Sequence, residues 1–109
     1  MSSRFVCPQL GGDVTMSQER EDHIRERHPD LLPAQRDRIG EVLHEPDMIR
    51  RSVRSASARL FSRWYTDLRR GRYVVVVVVS QGGRSARHWV VTAYTARKLA
   101  AGEVEWQRS

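Results

Sequence analysis

Two stretches of this chain carry side chains able to move protons and hold phosphates. The first is His23-Ile24-Arg25-Glu26-Arg27-His28-Pro29, and the second, far downstream, is Trp89-Val90-Val91-Thr92-Ala93-Tyr94. Imidazoles, guanidiniums, a hydroxyl and a phenol are what phosphodiester cleavage without a metal uses. Such a reaction needs a base for the attacking hydroxyl, an acid for the leaving oxygen, and cations around the pentacoordinate phosphorus. Histidine suits the two proton-transfer roles because its unperturbed pKa, about 6.5, lies close to working pH.

Charge agrees with that chemistry. The 109 residues hold 19 basic against 13 acidic side chains, for a formal net charge of +6, and Lys98 is the only lysine. A basic balance favours a polyanionic partner, and arginine is the better bidentate ligand for phosphate. RNA is therefore the expected partner. His23, His28, His44 and His88 show no i,i+4 pair and no partnered cysteine, so zinc-type spacing is lacking and neither a metal nor any other cofactor is expected. Cys7 stands alone, which fits a reducing, cytoplasmic compartment. The six-residue valine run, Val74 to Val79, is far too short to cross a bilayer as a helix, so no membrane contact is expected.

Periodicity supplies the elements that must position these groups. Residues 3 to 16 read as a small hairpin or extended lead-in around Gly11-Gly12-Asp13. Ser17 can then cap a helix that ends at His28, because Pro29 disfavours helical backbone before it. A second helix is expected from Pro33 to about His44, with Ile39, Val42 and Leu43 as its buried stripe. Beyond Pro46 the period shortens. Met48 to Val53, Ala58 to Tyr65, Arg72 to Ser80 and His88 to Thr95 read as strands joined by turn-rich connections at 54–57, 66–71 and 81–87. The valine run suits a central strand buried on both faces. The expectation is a single α+β domain over residues 1–109, with N-terminal helices at 17–44 packed on a four-stranded antiparallel meander at 48–95.

Helix and strand geometry sort the candidates. Spacings of three and four put Arg20, His23 and Arg27 on one stripe, with His28 turned well away from His23. Alternation sends Thr92 and Tyr94 to one face of the last strand and Trp89, Val91 and Ala93 to the other, the more apolar set being expected to meet the helices. Arg63 and Tyr65 share a side of their own strand and are expected to neighbour Thr92 and Tyr94. The catalytic candidates are thus His23, His28, Arg27 and Thr92, and the RNA-binding candidates are Arg20, Arg63, Tyr65 and Tyr94. His23 and Thr92 are expected at one cleft.

The order of His23-Ile24, Arg27-His28-Pro29-Asp30, Pro46-Asp47 and Val90-Val91-Thr92-Ala93-Tyr94 resembles the phage-associated branch of the barnase, EndoU, colicin and RelE-like nuclease superfamily. The resemblance runs roughly from Val14 to Trp106. It implies a small metal-independent endoribonuclease cleaving RNA by 2′-hydroxyl transesterification, a bacterial toxin or phage-derived effector, with an acidic antitoxin or immunity protein as a further partner. The alternatives are a catalytically inactive RNA-binding module, or a protein-interaction partner in a toxin and antitoxin-like system.

Overall fold

The six valines form the axis of the molecule. In a computed structural model describing residues 2–83 and 86–109, the chain runs β1 (Ser2–Cys7), a 3₁₀ turn (Pro8–Leu10), β2 (Gly12–Ser17), α1 (Gln18–Arg27) and α2 (Arg36–His44). It continues with β3 (Met48–Ser52), β4 (Ala58–Tyr65), β5 (Arg72–Gln81), β6 (Arg87–Ala96) and β7 (Gly102–Gln107). All seven strands join one sheet in the order β1-β2-β6-β5-β4-β3-β7, with the valine strand β5 at its centre. Only β2 and β6 run parallel.

This corrects the expected four-stranded antiparallel meander. The sheet is mixed and seven-stranded, and two short helices cover it. The N-terminal hairpin is the first addition. Its strand β2 docks beside β6 through two residue pairs, Val14 with His88 and Thr15 with Trp89, a contact that local patterning does not encode. The second addition is β7, whose Gly102-Glu103-Val104-Glu105-Trp106-Gln107 sequence has little β-branched character. It pairs with β3 while Glu105 accepts hydrogen bonds from Arg51 at 2.6 Å and from Arg59 at 2.8 Å. The connection 81–87 lies partly outside the described residues.

Local signals explain the helices. The Ser17 hydroxyl accepts from the Arg20 amide at 3.1 Å and so caps α1, and the His28 amide bonds back to the Ile24 carbonyl at 2.6 Å where α1 stops. The second helix starts later than the Pro33 signal suggests. Residues 29–35 form turns instead, with the amides of Leu31 and Leu32 both reaching the His28 carbonyl and both side chains buried.

One sheet face meets the helices. There Ile24, Leu31, Leu32, Ile39, Val42 and Leu43 pack on Val74, Val76, Val78, Phe61 and Ala93 in a single cluster. Ala58, Leu60 and Val75 are buried outside that cluster, on the opposite face. What covers this second face is the connection 97–101. It must pass from β6, third in the sheet, to β7 at the far edge, and its Ala100 and Ala101 stand with Leu60, Val77 and Thr92 around a common cavity. No helix of the described chain is long and apolar enough to cross a membrane.

A bulge sets the faces of β6. Val77 pairs with Thr92 but Val78 pairs with Val90, so Val91 is an extra residue. Ala93 faces the helices as expected, whereas Val90 takes the core place expected for Val91, and Val91 lines the open-face cavity. Trp89 pairs with Val79, which also lines that cavity, so it too departs from the expected side.

Burial of β5 should be unequal along its length. Val76 is fully buried and Val79 only partly. Val76→Ala should cost about 2–3 kcal/mol in urea unfolding, and Val79→Ala less than half as much. Equal losses would contradict this account of the covered faces.

Candidate functional site

Two of the candidate residues, His28 and Tyr94, meet where α1 ends. His28 caps that helix, and its ring stands beside the Tyr94 ring with centroids 6.1 Å apart and planes tilted by 41°. This approach is possible because β2 pairs with β6 only at His88 and Trp89, leaving the later part of β6 as a free edge beneath the helix end. The side chain of Asp30 then accepts hydrogen bonds from the Thr95 hydroxyl at 2.5 Å and from Arg69 at 3.3 Å. One carboxylate thus ties three segments: the α1–α2 turn, the end of β6, and the turn between β4 and β5.

That last turn is rich in arginine. Arg69, Arg70, Arg72 and Arg97 surround a shallow depression of about 610 Å³ together with Trp64 and Gly71. Trp64 is 41% exposed and meets Tyr73 edge-on, with centroids 4.9 Å apart. Arg69 and Arg70 hold left-handed backbone, at φ 48° and 66°, where glycine or asparagine is the usual occupant. Strained backbone of this kind clusters at functional sites and persists only where its surroundings impose it. Here the surroundings are visible. The Arg72 guanidinium donates to the Arg69 carbonyl at 3.0 Å and the Gly71 carbonyl at 2.8 Å, while Arg38 of α2 makes a two-pronged contact with Asp67 at 3.0 and 2.7 Å. Burial lowers the pKa of Arg72, and the cations of Arg97 and Arg69 lower it further.

The Asp30 carboxyl is held below its ordinary range. Burial alone would push it up, but the hydrogen bond from Thr95 and the cation of Arg69 outweigh that effect.

The expected site residues separate into groups. His28 and Tyr94 come together. His23, Arg20 and Arg27 are exposed on α1, in the helix layer, whereas Thr92 lines the cavity on the other face of the sheet. The expected cleft between His23 and Thr92 is therefore not formed. Arg63 and Tyr65 also lie away from Thr92 and Tyr94. The Tyr65 hydroxyl donates to Glu41 of α2 at 2.7 Å, and Arg63 sits over the Tyr65 ring at 5.5 Å while reaching the Glu45 carbonyl at 3.3 Å. Burial, then the Glu41 carboxylate, push the Tyr65 phenol far up, so it stays protonated. The register explains the separation: Ser62, not Arg63, shares a row with Val75 and Tyr94. Alternation within a strand defines two sets of side chains but does not say which sets meet across the sheet.

Sequence reasoning missed Arg69, Arg70, Arg72, Arg97 and Trp64. A signal was present, since Arg69-Arg70-Gly71-Arg72 places three guanidiniums in one tight turn. Among the described residues, no three His, Cys, Asp or Glu side chains cluster as metal ligands do. No family model, no curated protein and no solved structure matches the chain.

The Asp30 link has a pH signature. A carboxylate whose folded pKa is lowered contributes stability above its unfolded pKa of about 4, and loses it as pH falls through the folded value. Asp30→Asn should therefore be less stable than the native chain at pH 7, by about 1 kcal/mol for this partly exposed group. The gap should close below about pH 4. A gap independent of pH would mean that Asp30 acts through shape and not through charge.

Proposed function

We propose that the protein is a metal-independent endoribonuclease, acting as a bacterial toxin or phage-derived effector, with its chemistry at the C-terminal end of α1. The observation that carries this reading is the junction at Asp30: two residues after a histidine seated on Tyr94, a carboxylate grips an arginine of a four-arginine depression. Proton-transfer groups and phosphate ligands are thereby linked through one side chain.

In this reading the arginines hold successive phosphates and Trp64 offers its face to a base, as aromatic platforms do for single strands. The RNA 2′-hydroxyl loses its proton to a base as its oxygen attacks the adjacent phosphorus. The P–O5′ bond breaks, and an acid protonates the departing oxygen. A 2′,3′-cyclic phosphate and a 5′-hydroxyl remain. His28 transfers a proton, Tyr94 flanks its ring, and Asp30 positions Arg69 and Thr95. His23 is left as an exposed group on the approach to the site.

A second reading has its own support. The depression with Trp64 is a phosphate and base platform without any need of His28, so a catalytically inactive RNA-binding module fits the same surface. A partner carrying acidic side chains, such as an antitoxin or immunity protein, would meet the same arginines.

Purified protein incubated with total RNA in EDTA should cut it and leave cyclic phosphate ends. His28→Ala should lower the rate by about 10² or more, the usual scale for a general acid or base, while His23→Ala has the smaller effect. The opposite order of effects would move the chemistry to the exposed face of α1. Absence of cleavage alongside retained RNA binding would favour the inactive module.

Binding should also be strongly salt-dependent. For single-stranded RNA, Arg97→Gln should reduce the slope of log affinity against log salt by about 0.7, the value of one phosphate contact. An unchanged slope would remove Arg97 from the RNA path.

A further inference from the structure

The most unusual side chain in the molecule lies outside this site. Arg50, on β3, is 4% exposed, and its Nε and Nη2 are both buried without a hydrogen-bond partner among the described residues. Among the described residues no carboxylate pairs with it. The titratable groups that act on it are the phenols of Tyr94 and Tyr73, both uncharged at neutral pH. Burial lowers its pKa, yet a guanidinium keeps its proton in proteins, so a full positive charge sits in the sheet without a counter-charge. Such an arrangement costs free energy unless a partner is supplied.

The surroundings indicate what kind of partner. Arg50 shares one cross-strand row with Leu60, Val77 and Thr92. The last three, though not Arg50 itself, line a cavity of about 490 Å³, which Ser52, Arg54 and Ser55 also border. Its floor is aliphatic, and its roof is the small pair Ala100-Ala101. The roof is lightly fastened: among the described residues, no loop or turn backbone hydrogen bond holds 97–101. At the next residue, Gly102, a Cβ would lie 3.4 Å from the Cβ of Arg50, so the crossing segment rests on the arginine stem.

We propose that this open face binds a small monocarboxylate with an apolar body, its head on Arg50 and its chain along the cavity under the 97–101 segment. Nε–H and one Nη2–H lie on the same edge of a guanidinium, the edge that receives the two oxygens of a carboxylate side by side. One negative charge neutralises one cation. The aliphatic floor takes the body of the ligand, and Thr92, Tyr94, Ser52, Arg54 and Ser55 supply the polar edge. Because the two donors are closed off from solvent, entry requires the 97–101 segment to lift, which its few fastenings permit. This site is independent of the ribonuclease reading, sharing only Tyr94 with it.

The test uses the intact protein and decanoate, with decan-1-ol, acetate and inorganic phosphate as parallel probes. Saturable binding of decanoate is expected, followed by calorimetry and by a rise in melting temperature. Decan-1-ol, which lacks the charge, should bind about tenfold more weakly or worse, the scale of a hydrogen bond to a charged group. Acetate should bind weakly for want of a body. Arg50→Met should bring decanoate down to the level of the alcohol, and Arg50→Lys should fall between the two. In the native protein, which needs no variant to fold, decanoate should shift the Arg50 Nε–H resonance in the NMR spectrum, together with amides at 58–60, 91–94 and 100–102. Equal binding of decanoate and decan-1-ol, undiminished decanoate binding by Arg50→Met, or no saturable binding at all would overturn the proposal. Phosphate binding as tight as decanoate would assign Arg50 to a phosphate site and overturn it as well.

Discussion

A strand of six valines has to be kept from water on both faces, and the rest of the structure follows from that requirement. A sheet covered on one side only would leave half of β5 wet, at about 25 cal/mol for each Å² of apolar surface. Helices α1 and α2 cover one side with Ile24, Leu31, Leu32 and the stripe Ile39, Val42 and Leu43. Nothing helical is left for the other side. The chain covers it with the 97–101 connection, which crosses the sheet and delivers β7 to the far edge beside β3. Coverage by a narrow segment is less complete than coverage by a helix layer, and a cavity and the unpaired cation of Arg50 occur on that face.

The two sheet faces therefore carry different physics. On the helix side the polar groups are satisfied: the Tyr65 hydroxyl meets Glu41, and Arg38 stacks on the Tyr65 ring at 4.4 Å while clasping Asp67. At the end of the sheet, where the β4–β5 turn meets the end of α1, positive charge accumulates faster than it is paired. Asp30 is the counterweight there, joined to Thr95 and Arg69. Left-handed backbone at Arg69 and Arg70 is the conformational cost of directing these side chains into one depression. A turn built for stability alone would have placed glycine or asparagine at those positions.

A contact between Ser80 and His88 shows how burial settles the protonation of a histidine. The Ser80 hydroxyl and His88 Nδ1 are 2.7 Å apart across β5 and β6. Burial, then the cation of Arg59, lower the His88 pKa and favour its neutral form. His28 differs in standing at the free edge of β6, beside a tyrosine and near exposed arginines.

The sequence by itself determined the local events. Ser17 caps α1, Pro29 follows its end, Ile39, Val42 and Leu43 face inward, and the valines take the central strand, because each depends on backbone preferences or on a period readable within a few residues. The same level of reading singled out His28 and Tyr94 as candidates. Tertiary structure alone decided what they meet. The docking of β2 on β6 by two residue pairs, the crossing that carries β7 past three strands, and the bulge at Val91 that exchanges the faces of Val90 and Val91 all depend on partners distant in the chain. Register is such a partner property: a strand's alternation defines two sets of side chains, but only pairing chooses which set faces which neighbour. That choice put Ser62 rather than Arg63 in line with Tyr94, separated His23 from Thr92, and left Arg50 buried without a counter-charge.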